Sequence, residues 1–117
     1  MALTILIVDD HPSFRSSARR VLEAGGFTVV GEAEDGAGGV AAARDLRPDV
    51  VLLDVGLPDA DGFDVAGSIK ALPDPPDVVI VSSRDSSDFG PLVEASGACG
   101  FVSKADLSGE AVAALLP

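Results

Sequence analysis

Leu3-Thr4-Ile5-Leu6-Ile7-Val8-Asp9-Asp10 is a β-branched apolar run that two carboxylates cut short. Residues 4–8 read as a strand. No polar residue interrupts the run from Ile5 to Val8, which is the pattern of a strand buried on both faces of a parallel sheet. Three more short runs end in the same way. Residues 50–53 lead into Asp54, residues 78–81 into Ser82, and residues 101–102 through Ser103 into Lys104. Parallel strands share one carboxyl edge, and open α/β folds bind their ligands there. Three carboxylates, a hydroxyl and a lysine are therefore expected to meet at one spot.

Helical patterns alternate with these strands. Pro12 suits the first turn of a helix, where its missing N–H costs nothing. Phe14, Ala18, Val21 and Leu22 then recur on one predicted face, and Gly25-Gly26 ends the helix. Residues 27–30 read as a second strand. An alanine-rich helix follows around Ala37, Val40 and Ala41 and closes before Pro48. After the strand at 50–53 comes a turn-rich loop, Gly56-Leu57-Pro58-Asp59-Ala60-Asp61-Gly62. Val65, Ala66, Ile69 and Leu72 mark a third helix, stopped by Pro73. In residues 85–97, Leu92, Val93 and Ala95 suggest a helix whose start Gly90-Pro91 breaks or delays. Residues 107–116 form a last short helix, with Asp106 or Ser108 as its N-cap. Five β/α units imply a parallel sheet with helices on both faces. The order of the strands does not follow from these patterns.

The chain has 117 residues, which fits one domain with a single core and no staples. A hydrophobic content of 47% argues against disorder. The formal net charge of −11 opposes direct binding to nucleic acid or to an anionic membrane. The single cysteine, Cys99, cannot pair within the chain, which fits a reducing compartment. No signal segment or spanning helix is visible in the sequence.

The residues at the predicted edge suit phosphoryl chemistry. A carboxylate such as Asp54 can attack phosphorus directly and form an acyl phosphate. The equatorial oxygens then need neutralising, so a divalent metal is expected. Mg²⁺ takes hard oxygen ligands, and Asp9 and Asp10 offer them next to Asp54. Without a cation the three carboxylates repel one another. A backbone carbonyl just after Asp54, that of Gly56, is expected to complete the protein ligands. Ser82 offers a hydroxyl to a phosphoryl oxygen, and Lys104 offers a compact positive charge.

Four motifs carry a resemblance to a known family. They are Ile-Val-Asp-Asp (7–10), Leu-Leu-Asp-Val-Gly-Leu-Pro (52–58), Val-Ser-Ser (81–83) and Gly-Phe-Val-Ser-Lys (100–104). Together they resemble the receiver domain of bacterial response regulators, over essentially residues 1–117. The Asp-Asp-His-Pro start (9–12) and the Lys-Ala-Asp-Leu segment (104–107) are most similar to receivers of the LuxR/NarL-type subfamily, whose usual output is a helix-turn-helix DNA-binding domain. The resemblance implies a flavodoxin-like (βα)5 fold with strand order 2-1-3-4-5, an order already associated with chemotaxis receivers. It implies that Asp54 accepts a phosphoryl group from a sensor histidine kinase or phosphotransfer protein. It assigns Asp9, Asp10, Asp54 and the Gly56 carbonyl to Mg²⁺, and Lys104 to the phosphoryl group. Ser82 and Phe101 become the switch pair. The output surface is the fourth helix, fifth strand and fifth helix, which would meet a downstream protein. Phosphoryl acceptance and slow autodephosphorylation are then self-catalysed, with no separate substrate turned over. A cytoplasmic location follows from the same resemblance, and a homodimer is compatible with it.

Some positions depart from the common pattern. Ala105 stands where many receivers carry Pro, and Phe101 where Tyr is commoner. Gly56 and Arg84 match variable positions that tune hydrolysis in this family. Two other biologies share the motifs: an N-terminal receiver excised from a transcription factor, and a receiver that binds partners without phosphorylation. A dehalogenase-type phosphotransferase would need a second Asp at position 56 and a cap domain, and neither is present. His11 reads as an orienting or solvated loop residue, since imidazole is a poor Mg²⁺ ligand. Gly36–Gly39 lacks a nucleotide-binding spacing, and nothing near Cys99 lowers its pKa. Asp59 and Asp61 are expected at a turn and a helix start.

Overall fold

The computed structural model describes residues 2–83 and 89–117. Arg84, which the sequence placed at a variable position, and residues 85–88 lie outside that description. The described residues form strands β1 (Thr4–Val8), β2 (Thr28–Ala33), β3 (Val50–Asp54), β4 (Asp77–Ser82) and β5 (Gly100–Ser103). Helices α1 (Pro12–Ala24), α2 (Gly36–Leu46), α3 (Gly62–Lys70), α4 (Gly90–Ala95) and α5 (Gly109–Leu115) alternate with them. The sheet is parallel throughout, in the order β2-β1-β3-β4-β5, as the resemblance implied.

The unbroken apolar runs have a direct cause. Successive side chains of a strand point to opposite faces, and here both faces are covered. Ile5, Ile7, Val50, Leu52, Val79 and Val81 pack under α1 and α5, against Ala18, Leu22 and Val112. Leu6, Val8, Val51, Leu53, Val78 and Ile80 pack on the other side, against Ala43 of α2 and Val65, Ala66 and Ile69 of α3. Every residue from Ile5 to Val8 and from Val50 to Leu53 is buried.

The helix boundaries refine the expectations. Val21 was placed on the core face of α1 but is 37% exposed. Phe14, Ala18 and Leu22 make the packed stripe, and Val21 lies on its flank. The second strand runs three residues further than residues 27–30, to Ala33, because its pairing with β1 continues to Val8↔Ala33. Gly90-Pro91 opens α4 instead of breaking it, with Pro91 in the first turn. That helix is short, buries none of its residues and leaves Leu92 51% exposed. The alternative caps of the last helix resolve to Ser108, whose hydroxyl accepts from the Ala111 N–H at 2.9 Å. The helix therefore begins at Gly109, and Lys104–Asp106 form a separate 3-10 turn.

α1 and α5 cross at two glycines. A Cβ on Gly109 would sit 2.6 Å from the Gly25 Cα, backbone against backbone. Gly109→Ala should therefore push α5 outward and lower stability by about 1–3 kcal/mol in urea unfolding. An unchanged midpoint would mean that α5 shifts without cost. Among the described residues, no helix is long and apolar enough to cross a membrane.

Candidate functional site

The four predicted strand ends do come together. β1 leads into Asp9, whose N–H donates to the Ala33 carbonyl at 3.0 Å, so the carboxylate is held by continued sheet pairing. Asp54 is the last residue of β3 and pairs in register with Val81. Ser82 closes β4 opposite Ser103, and Lys104 follows at once. Asp9, Asp54 and Ser82 are the buried polar residues among those described. Gly62 controls the loop behind Asp54. Its N–H donates to the Val55 carbonyl at 2.9 Å, and a Cβ there would collide with the Asp54 carbonyl oxygen.

Lys104 Nζ lies 2.7 Å from Asp9 Oδ2 and 3.5 Å from Asp54 Oδ2. The same ammonium sits 4.4 Å from the centroid of the Phe14 ring, which holds it from below. His11 donates its N–H to Asp9 Oδ1 at 2.8 Å, and its Nδ1 is 3.0 Å from both Asp9 Oδ1 and Asp10 Oδ1. Burial pushes the Asp54 carboxyl above its ordinary pKa, and the Asp9 charge pushes in the same direction. Lys104 and the Gly56 N–H pull it back. A cavity of about 250 Å³ opens over Asp54, with Gly56, Ser82 and Lys104 in its wall.

The donor set fits a divalent cation. Asp9, Asp10, His11 and Asp54 each offer a ligand atom, and these atoms lie within 4.8 Å of one another. Asp9 Oδ2 faces the Lys104 ammonium and Asp10 Oδ1 the His11 ring, yet neither buried oxygen accepts a well-aligned hydrogen bond. Nearby like charges and unsatisfied carboxylate oxygens are what a hard cation relieves. Lys104 alone cannot neutralise three carboxylates.

Several residues here escaped the sequence reading. Phe89 forms part of the cavity wall, and its buried ring lies between Phe63, at 5.5 Å between centroids, and Phe101, at 5.9 Å. Phe101 is itself half-buried on β5. Arg15 donates from Nη1 to the Asp9 carbonyl at 2.6 Å and from Nε to Glu32 at 3.1 Å, bracing the end of β1. An arginine on the helix after the acidic pair was the available signal.

Asp59 does serve a helix start, but of α2 and not of its own neighbour. Its carboxylate accepts from the Gly36 and Ala37 N–H groups at 2.7 and 3.1 Å. Asp61 caps α3 through the Phe63 N–H at 2.7 Å, as expected. The glycine-rich start of α2 thus faces carboxylates, with Asp35 taking the Gly38 N–H. Those N–H groups hold the Asp59 carboxyl below its usual pKa. Its stabilisation is present above the ordinary carboxylate pKa and is lost as pH falls through the lowered value. Asp59→Ala should therefore lower the urea midpoint at neutral pH, and the gap from the parent should close in acid. A gap that persists in acid would show that lost packing, not the charged cap, is responsible.

The sequence profile of the response regulator receiver domain matches residues 5–115. The chain is 42% identical over 100 residues to a protein of Pseudomonas aeruginosa named as a transcriptional regulator, covering 86% of this chain and 48% of that one. The signal receiver domain of the NarL response regulator of Mycobacterium tuberculosis superposes with a TM-score of 0.87, at 34% identity, over 97% of this chain and 94% of that one. A LuxR-family two-component response regulator from Aurantimonas gives a TM-score of 0.87 at 30% identity, over 98% of this chain and 86% of that one. The chain belongs to the response regulator receiver domain family, and its similarity is to the NarL/LuxR-type members. It spans about half the length of the curated relatives it matches.

Proposed function

We propose that this chain is a phospho-acceptor receiver of a two-component phosphorelay, with Asp54 as the acceptor. The observation that carries this reading is a buried carboxylate at the end of β3, beside Asp9 and 3.5 Å from a lysine ammonium. Asp54 attacks phosphorus, its Oδ–P bond forming as the bond to the kinase or phosphotransfer histidine breaks. Asp9, Asp10, Asp54 and the Gly56 carbonyl hold Mg²⁺, which supplies neutralisation of the phosphoryl oxygens when bound. Lys104 exchanges its ion pair with Asp54 for one with the phosphoryl group. Ser82, already lining the cavity, donates its hydroxyl to a phosphoryl oxygen, and Phe101 turns inward behind it.

The added charge biases a two-state element, and the face made of α4, β5 and α5 reports it to a downstream protein. Moving that element from 1:99 to 99:1 takes about 5.5 kcal/mol of differential stabilisation. Domain, location and partners follow the same reading: one receiver over residues 1–117, cytoplasmic, with no nucleic acid or membrane bound by this acidic chain itself. The half-length match to transcriptional regulators favours one variant, in which this receiver is the N-terminal part of a DNA-binding regulator.

Acetyl phosphate with Mg²⁺ tests the acceptor directly. Intact mass should show one phosphoryl adduct that needs both Mg²⁺ and Asp54, and NMR shifts should reach Phe101 and α5. No adduct at saturating donor, with the metal site occupied, would favour a receiver that binds partners without phosphorylation. An adduct with no distant shifts would favour a phosphate sink.

A further inference from the structure

We infer that Arg15 is a positioning residue for the cation site: its guanidinium fixes the peptide between Asp9 and Asp10, so that both carboxylates are held ready for a divalent ion. This rests on the Mg²⁺ site of the proposed function and extends it to a residue that acts through the main chain. Asp9 is still held by the sheet, its N–H donating to the Ala33 carbonyl at 3.0 Å. Asp10 lies between β1 and α1, in neither strand nor helix. Arg15 closes that gap. Its Nη1 donates to the Asp9 carbonyl at 2.6 Å and its Nε to Glu32 Oε1 at 3.1 Å. Arg19 Nε grips the other oxygen of Glu32 at 2.9 Å. Only 15% of the Arg15 side chain is exposed, so little water competes for these bonds. Both peptide groups that flank the Asp9 Cα are thus tied to β2, one directly and one through a forked arginine. A peptide group is planar, so the held carbonyl also sets the direction of the Asp10 N–H and Cα.

The need for such a brace is electrostatic. Asp9, Asp10 and Asp54 present carboxylate oxygens within 4.8 Å of one another. Like charges repel, and Asp10, the least buried of the three, has room to swing out of a metal-free site. Holding it in place before the ion arrives removes that cost from binding. Two effects of Arg15 on a cation have opposite signs. As a positive charge it repels the ion, and as a brace it raises affinity. Glu32 compensates the charge, so the brace prevails.

Arg15→Met keeps much of the stem and deletes the fork. Amide spectra titrated with MgCl₂ should show its affinity at least about tenfold below the parent's, the usual effect of losing a group that orients metal ligands. Without metal, the backbone order parameter of Asp10 should fall from about 0.85 toward 0.6. Arg15→Lys keeps the charge without the fork and should fall short of the parent in both readouts. Gly109→Ala, strained where α5 crosses α1, is the stability control and should change Mg²⁺ affinity less than about twofold. Unchanged or tighter binding by Arg15→Met would overturn the assignment, as would a parent-like lysine variant. So would a loss of affinity with an unmoved order parameter, or an equal loss in Gly109→Ala. Asp54 labelling of the parent by acetyl phosphate is read separately. Its absence would overturn the acceptor reading, while the metal-free order parameters decide Arg15.

Discussion

Asp54→Asn should make the metal-free chain more stable at neutral pH while abolishing phosphoryl incorporation. The stability gain follows from the cost of the native charge. Asp54 is buried at the end of β3, with Asp9 beside it, and its carboxyl sits above the ordinary value for those two reasons in that order. In the unfolded chain the same carboxyl titrates normally. Between the two values the native state holds more protons than the unfolded state, so stability falls as pH rises. The contribution is fully present below the unfolded pKa and is lost as pH climbs through the folded one. At pH 7 the charge on Asp54 is therefore a net burden.

Asparagine keeps the shape and removes that burden. The gain should be roughly 1–2 kcal/mol in the presence of a chelator, within the range for relieving a poorly compensated buried charge. A Tm rise of about 5 °C is the matching thermal signature for a chain of this size. In acid, below the unfolded carboxyl pKa, parent and variant should converge. Mg²⁺ should reverse the ranking, because a ligand that binds only the native state adds stability in proportion to its occupancy, and the variant has lost one of its carboxylates. Equal stability of the two proteins across the pH range would mean that Lys104 already compensates Asp54 in full. The acceptor assignment would then rest on labelling alone.

The parts legible in the sequence are those set by local patterning. The apolar runs at 5–8 and 50–53 announce strands covered on both faces, and the polar residues that end them fall at one sheet edge for the same reason. Asp9, Asp54, Ser82 and Lys104 were therefore found together before any fold was known. What escaped depends on contacts between distant segments. The Asp59 carboxylate reaches α2 across 23 residues, a pairing that no spacing rule encodes. Phe89 enters the cavity wall packed between Phe63 of α3 and Phe101 of β5, rings distant in sequence that no local pattern links. His11, expected as an orienting or solvated loop residue, is exposed over most of its ring while its N–H and Nδ1 meet the acidic pair. Val21 erred in the other direction, since periodicity places a face but not its width.

The second large effect is expected at Lys104. Its ammonium is the cation that the structure sets between Asp9 Oδ2, at 2.7 Å, and Asp54 Oδ2, at 3.5 Å, with only 18% of the side chain exposed. Removing one partner of a buried pair costs more than the pair contributes, because the remaining charge stays buried without compensation. Lys104→Met preserves the stem over Phe14 and deletes only the charge. The metal-free variant should lose about 3 kcal/mol in urea unfolding at pH 7.5. Two features separate this charge effect from lost packing. The loss should shrink as pH falls, because Asp54, already raised, then takes a proton and the repulsion with Asp9 ends. It should shrink again with saturating Mg²⁺, which neutralises the same carboxylates. A packing defect would answer to neither, so a loss that is constant with pH and with Mg²⁺ would show that Lys104 holds the edge of β5 by its stem and not by its charge.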